Sequence, residues 1–93
     1  MEIKDNELLR QFETLFLEEL VTIEYARQER KIFLTKINYT ELVTEDFVNS
    51  FIEETLKIAE EQRLKVVPSH PKIAVFFRKN PTYKELLPPG IKI

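Results

Sequence analysis

The side chains best suited to catalysis stand in the last third of the chain, around its only histidine. Ser69 and His70 place a hydroxyl next to an imidazole, the side chain that most often serves as a general base near neutral pH. Adjacent side chains rarely face each other, and no acidic residue is placed to orient the imidazole, so a serine-type triad is not indicated. A lone histidine between two prolines favours an exposed or hydrogen-bonded turn residue, and His70 is the candidate general base if the protein is catalytic.

Basic residues near this pair are candidates for binding an anion. Residues 64–93 hold six basic residues and one acidic residue, whereas residues 1–63 hold 15 acidic and eight basic residues. Arg78, Lys79 and Lys84 are the candidates for contact with a nucleotide phosphate, or they belong to a solvated surface that balances the acidic part. A protein partner is the other interaction that this charge allows. Nucleic acid is disfavoured because no aromatic platform accompanies the cations on a predicted sheet face.

Composition excludes several kinds of site. Gly90 is the only glycine, so the glycine-rich phosphate loops of nucleotide-binding proteins are excluded. The chain has no cysteine and one histidine, which excludes thiolate nucleophiles and metal sites built on several histidines, and we predict no metal. The N-terminal residues lack a signal-peptide core, and no stretch approaches the ~18 apolar residues of a membrane span. We therefore expect a cytoplasmic protein without a membrane partner.

Two helices are predicted, one long and one short. Over residues 44–62 apolar side chains recur near the 3.6-residue period, which predicts the long helix. Thr44 is a suitable N-cap, and Glu45 and Asp46 complement the positive end of the helix dipole. The shorter helix is predicted over residues 71–79, where prolines stand at its start and beyond its end.

Three segments have strand character. Residues 21–25 and 31–37 are rich in β-branched and aromatic side chains, and residues 26–30 are polar enough to connect them as a hairpin. Residues 64–68 form a third strand, which a proline ends. A strand, a helix and a strand in this order imply a right-handed crossover, so 31–37 and 64–68 should be parallel. The predicted fold is a single α/β or α+β domain over residues 1–93, built on a small mixed sheet.

A continuous part of the chain resembles a known family. Residues 64–83 read LKVVPSHPKIAVFFRKNPTY, which is similar to the C-terminal signature of the small GNAT-like acetyltransferases. That signature has an LKVVP strand, a turn, a helix with an aromatic pair, and then two basic residues, Pro and Tyr. Upstream motifs stand at the family's mutual spacings: Phe12-Glu13, Ile23-Glu24-Tyr25 and Ile32-Phe33-Leu34-Thr35. The resemblance covers most of the chain and implies a GNAT-like fold that uses acetyl-CoA to acetylate an amine.

The resemblance also implies roles for particular residues. Members of the family bind acetyl-CoA between two splayed parallel strands and hold its pyrophosphate on the N-terminus of the long helix, through a glycine loop. His70 stands where the family usually has a cysteine and would be the catalytic residue. The residues implied to bind the cofactor are Thr44, Phe47 and Val48 at the loop, and Arg78 and Lys79 near the nucleotide.

One segment departs from the family pattern. Residues 42–48 contain no glycine and no basic residue, and Glu45 and Asp46 would place carboxylates beside the phosphates. Like charges at roughly 4–6 Å repel each other by about 1 kcal/mol at a solvated surface. The loop is therefore degenerate, and binding of acetyl-CoA there should be weakened or lost. The alternative function is a catalytically inactive GNAT-fold binding or regulatory module.

Residues 8–20 admit two structures. Their apolar side chains recur at helical spacing, which predicts a helix: Leu8, Leu9, Phe12, Leu15 and Phe16. The same stretch also accommodates a strand from Gln11 to Phe16 that pairs with residues 21–25, and the resemblance favours this strand.

Overall fold

A computed structural model describes residues 1–93 as a mixed α+β fold, in agreement with the predicted class. Five strands form one sheet, two α-helices pack on it, and a short 3₁₀ helix follows. The strands are β1 (Lys4–Asn6), β2 (Gln11–Phe16), β3 (Glu19–Gln28), β4 (Lys31–Asn38) and β5 (Lys65–Pro68). The helices are α1 (Glu45–Glu61), α2 (Pro71–Lys79) and the 3₁₀ helix (Pro81–Leu86).

The sheet follows chain order, β1-β2-β3-β4-β5, and only its last pair is parallel. Lys31 lies opposite Lys65 and Leu34 opposite Pro68, so β4 and β5 are adjacent and parallel. This confirms the parallel pairing predicted from the order of strand, helix and strand. Between Glu24 and Tyr25 the pairing of β3 with β4 shifts by one residue and leaves Thr35 as an extra residue in β4.

Residues 11–16 form a strand, so the helix favoured by the local pattern is wrong. Phe12 and Thr14 are buried, and Phe12 lies opposite Ile23 of β3. The other members of the apparent helical stripe do not share a buried face, since Leu8 is 91% and Leu15 63% exposed. Cross-strand packing therefore outweighs the local helix propensity.

The connection between β3 and β4 is shorter than predicted. β3 continues to Gln28, which pairs with Lys31, so only Glu29 and Arg30 form the turn rather than residues 26–30. Glu29 has φ 58°, the positive value that a two-residue hairpin turn requires. The sequence has no glycine or asparagine there to signal such a turn.

Both α-helices pack on the same face of the sheet. The buried core joins Ile23 and Leu34 of the sheet to Phe51 of α1 and Phe77 of α2. On the opposite face no helix covers the strands, and Leu15 and Leu20, which pair across β2 and β3, are 63% and 53% exposed. No helix combines the length and the apolar composition needed to cross a membrane.

The turns use the left-handed backbone region without glycine. The non-glycine residues with positive φ are Arg10, Leu17, Glu18, Glu29 and Arg63. Arg63 lies just after α1 in a Schellman motif, in which Leu64 N–H donates to Ala59 C=O at 2.9 Å. The segment that leads into α1, residues 39–44, has no residue with positive φ.

Candidate functional site

β4 extends beyond its partner β5, and we call the unpaired side of its residues 35–38 the opening of the sheet. β5 ends at Pro68, opposite Leu34, while β4 continues to Asn38. Ser69 N–H donates to Leu34 C=O at 3.0 Å, and beyond this bond β4 has no strand on its β5 side. Unpaired backbone groups on a strand can accept an extended ligand or another strand. The opening between β4 and β5 is therefore the first candidate site.

A charged contact joins the elements around this opening. Lys72, near the start of α2, donates to Glu45 Oε2 at 2.7 Å, and Glu45 is the first residue of α1. Tyr39, just after β4, donates to Glu45 Oε1 at 3.4 Å, and Lys72 Nζ lies 5.5 Å from the centre of the Tyr39 ring. We call these three side chains the clasp. They connect the end of β4 with the N-termini of both helices.

The charges of Glu45 and Lys72 in the clasp stabilise each other. The hydrogen bond from Lys72 holds the pKa of Glu45 below its usual range, and the same bond raises the pKa of Lys72. A cation in the first turn of a helix is opposed by the helix dipole. Lys72 occupies such a position in α2, and Glu45 provides the compensating charge. The lysine is therefore engaged by the protein itself.

A polar groove of about 400 Å³ runs between α1 and α2 beside the clasp. Its α1 wall is acidic and polar, with Glu45, Asp46, Asn49, Ser50 and Glu53. Its α2 wall carries Lys72, Val75, Phe76, Lys79 and Asn80. One wall thus carries negative charge and the other positive charge, and Lys79 forms no ion pair.

The residues predicted at the α1 N-terminus have structural contacts. Thr44 Oγ1 accepts a hydrogen bond from Phe47 N–H at 3.2 Å, so Thr44 is the N-cap, as predicted. The Phe47 ring packs on Phe16 with centroids 4.8 Å apart. Val48 is completely buried in the core. Their assignment as cofactor-binding residues stays a prediction.

The predicted basic residues are spread over different surroundings. Arg78 and Lys79 are exposed and lie in the last turn of α2, where cations complement the helix dipole. Only Lys79 of the two lines the groove. Lys84 belongs to the 3₁₀ helix, and its Nζ lies 3.5 Å from the Ile93 oxygen. The three cations therefore do not converge on one point.

His70 caps α2. Its Nδ1 accepts a hydrogen bond from Lys72 N–H at 3.1 Å, and its own C=O accepts from Ile73 N–H and Ala74 N–H. With Nδ1 occupied, the neutral ring carries its proton on Nε2, so no lone pair remains to accept a proton from a substrate unless the cap opens. The assignment of His70 as general base stays a prediction, and the structure gives it a capping role.

Two tyrosines hold neighbouring elements together. Tyr83 donates to Glu53 Oε2 at 2.8 Å, and this hydrogen bond raises the pKa of Tyr83 to about 12. Tyr25 donates to Asp5, and burial together with this bond raises the pKa of Tyr25 to about 12. The first bond fixes the 3₁₀ helix on α1, and the second fixes β1 on β3.

The α1 N-terminus is a poor match for the pyrophosphate of acetyl-CoA. Glu45 and Asp46 put two carboxylates in the first turn, and the Thr44 side chain already accepts from one of the N–H groups there. A phosphate needs free donors and a positive field at this place. The structure also contains no group of three or more His, Cys, Asp and Glu side chains arranged to hold a metal ion.

Sequence reasoning did not identify two members of the clasp. Tyr39 follows β4 and has no motif around it, and Lys72 is one of six basic residues in the last third of the chain. The available signal was the unfavourable place of Lys72 at the start of a helix without acidic residues in its first turn. Such a lysine is stabilised by a carboxylate from another part of the chain.

A scan against protein-family models and a search of the curated proteins find no match to this chain.

Proposed function

We propose that this chain is a GNAT-like domain that does not use acetyl-CoA at the N-terminus of α1 and acts as a non-catalytic binding module. The observation that carries the proposal is the Glu45–Lys72 contact of 2.7 Å, which joins the two helix N-termini beside the opening in the sheet. A carboxylate thus holds the nearest cation at the place where the family would hold a phosphate.

Electrostatics supports this proposal. A pyrophosphate at the α1 N-terminus would meet Glu45 and Asp46, and it would have to compete with Glu45 for Lys72. Each carboxylate within roughly 4–6 Å of a phosphate opposes binding by about 1 kcal/mol at a solvated surface. These terms oppose the favourable dipole of the helix, which contributes a similar amount.

Backbone geometry supports it as well. Five non-glycine residues of this chain adopt positive φ, so the chain forms such turns without glycine where the fold needs them. None of the five lies in residues 39–46, and Thr44 is extended with φ −74° and ψ 151°. The loop before α1 therefore lacks both the glycines and the conformations that glycine provides in a phosphate loop.

An acetyl-CoA-dependent amine N-acetyltransferase is the second candidate. It is favoured by the opening in the sheet, where β4 extends four residues beyond the last pair with β5. Unpaired backbone groups of β4 could hold an extended amide chain there, and Lys79 in the adjacent groove is free to meet a phosphate.

A thermal-shift titration with acetyl-CoA separates the two functions. A site with a Kd of about 10 µM would stabilise the fold by about 2.7 kcal/mol at about 1 mM ligand, which raises Tm by roughly 10 °C or more. We expect no shift for the wild-type chain beyond that produced by inorganic pyrophosphate. A shift that coenzyme A competes away, with acetylation of an added amine, would overturn the proposal and support the enzyme.

A matched variant locates the cause. Replacing Glu45 by Gln and Asp46 by Asn together removes both carboxylates while keeping the size of the side chains. A gain of acetyl-CoA binding in this double variant shows that the carboxylates exclude the cofactor. If the wild-type chain and the variant bind acetyl-CoA equally, the cofactor lies elsewhere on the molecule.

A further inference from the structure

We infer that the end of the sheet around the β2–β3 turn is a docking surface for a basic, apolar peptide segment of another protein. The surface is formed by four exposed leucines: Leu15, Leu17, Leu20 and Leu42. We call them the leucine patch. The inference deepens the proposed function by giving the binding module a partner class, and its test does not involve acetyl-CoA.

The leucine patch is a cluster rather than a set of scattered side chains. Leu15 and Leu20 lie directly opposite each other on β2 and β3, and Leu17 stands in the turn that joins these strands. The loop that carries Leu42 is held beside the β2–β3 turn, because Thr40 donates to Glu19 Oε1 at 3.0 Å. The four side chains are between 53% and 82% exposed. Single exposed leucines are ordinary, but a group of them marks an interaction site.

Leu17 has a positive φ, a backbone conformation that bulky side chains disfavour. Leu17 and Glu18 have φ 46° and 71°, the two positive values of a type I′ turn, for which Asn-Gly is strongly preferred. A bulky side chain in this region is strained. The chain therefore holds an apolar side chain at an unfavourable backbone position and in contact with water. Leu17 thus adds an exposed side chain at the tip of the hairpin to the apolar surface of Leu15 and Leu20.

Charge around the patch selects the partner. Residues 1–4, 13–20 and 39–43 hold five acidic residues and one basic residue, Lys4. The pKa of Glu13 is lowered by hydrogen bonds from Gln11 and Asn6, so its carboxylate stays charged. An apolar centre with an acidic rim fits a segment whose apolar side chains are flanked by Lys and Arg.

The same charges oppose other occupants. A second copy docked by two-fold symmetry would place the acidic rim against itself. A membrane surface with anionic lipids would repel the rim for the same reason. A groove of about 450 Å³ continues from Leu15 and Leu20 to Ile3 and Phe47, which gives one partner side chain a place to enter.

The test uses a labelled amphipathic Leu/Lys peptide of about 14 residues and the matched Leu/Glu peptide, with the full chain. We expect the Leu/Lys peptide to bind with a Kd of about 10 µM and the Leu/Glu peptide not to bind. In heteronuclear NMR spectra the peptide should shift amides of residues 15–20 and 40–43 and leave those of 78–80 in place. Failure of the Leu/Lys peptide to bind, or shifts confined to another surface, would overturn the inference.

Leu17→Asn is the decisive variant, because Asn favours the observed backbone conformation and the protein should remain at least as stable. We expect the affinity for the Leu/Lys peptide to fall at least fivefold, with no decrease in Tm. Leu8→Asn is the matched control, since Leu8 is 91% exposed in the β1–β2 turn at the opposite end of β2. Equal effects of the two variants would show that binding is merely electrostatic and would overturn the inference.

Two further arms address the other occupants. Sedimentation of the chain alone tests self-association, and flotation with phosphatidylcholine–phosphatidylserine vesicles tests a membrane. Dimerisation or vesicle binding that Leu17→Asn abolishes would assign the patch to that occupant and overturn the peptide partner. The peptide partner is supported if the chain is monomeric, does not float with vesicles and loses affinity for the peptide in the Leu17→Asn variant. This outcome does not depend on the result of the acetyl-CoA titration.

Discussion

Arg63→Gly should stabilise this protein, although the substitution removes a side chain and introduces flexibility. Arg63 follows α1 with φ 59°, a conformation that costs an L residue roughly 1–2 kcal/mol. Glycine removes that strain, but it also lowers the free energy of unfolding by about 0.4–1 kcal/mol because it makes the unfolded protein more flexible. The difference favours glycine by about 0.5–1 kcal/mol, which raises Tm by roughly 3–6 °C in a domain of this size.

The controls separate backbone strain from the loss of the side chain. Arg63→Ala removes the same side chain and keeps the strain, so it should not stabilise the fold. Lys57, in the exposed part of α1, provides the opposite case, since Lys57→Gly should be about 1 kcal/mol less stable than Lys57→Ala. Urea denaturation gives the free energy of unfolding for all four variants. We expect Gly to be more stable than Ala at position 63 and less stable than Ala at position 57. If Gly is the less stable of the two at both positions, the strain at Arg63 is refuted.

Three further perturbations test the contacts around the site. Thr44→Ala removes the α1 N-cap and should lower the free energy of unfolding by about 1 kcal/mol in a urea titration; an unchanged value would refute the cap. A double-mutant cycle on Glu45 and Lys72 should show coupling at neutral pH. The pKa of Glu45 is lowered by folding, so the coupling should disappear as the pH falls below the ordinary value of 4.5, and coupling that persists in acid would contradict the contact. Tyr83→Phe removes the bond to Glu53 and should lower stability by about 1 kcal/mol at neutral pH. Because folding raises the pKa of Tyr83 to about 12, its contribution is complete below pH 10.0 and is lost between there and about 12. The Phe variant should therefore lose less stability than the wild type over that interval, and equal losses would count against the bond.

The sequence predicted those elements whose local pattern agrees with their packing. The long helix has a regular apolar face and a capping threonine, and its N-cap is the predicted Thr44. The parallel pairing of β4 and β5 followed from the order of elements alone. β2 was missed by local pattern, because the burial of Phe12 depends on Ile23 in another strand, and no window along the chain contains that contact.

The candidate site was harder to predict, since its members meet only in three dimensions. Glu45 and Lys72 are 27 positions apart, and Tyr39 joins them from the end of β4. The residue type of His70 allows a general base or a hydrogen-bonded turn residue. Its contact with Lys72 N–H depends on the start of α2, where histidine acts like the Asn or Asp of an ordinary cap. In each case the residue type indicates which hydrogen bonds or charges the side chain can offer, whereas its actual partner depends on the three-dimensional fold.

The acidic character of one end of the molecule connects the two proposals. The β2–β3 turn, the end of β4 and the start of α1 lie together, as the Thr40–Glu19 bond and the Phe16–Phe47 contact require. The family resemblance would place an anion at this end, yet it carries Glu45 and Asp46 and the acidic rim of the leucine patch. Binding of a cation-bearing segment uses those carboxylates, and binding of a pyrophosphate has to overcome them. The carboxylates that oppose the cofactor and those that surround the leucine patch therefore both favour a basic partner at this end of the molecule.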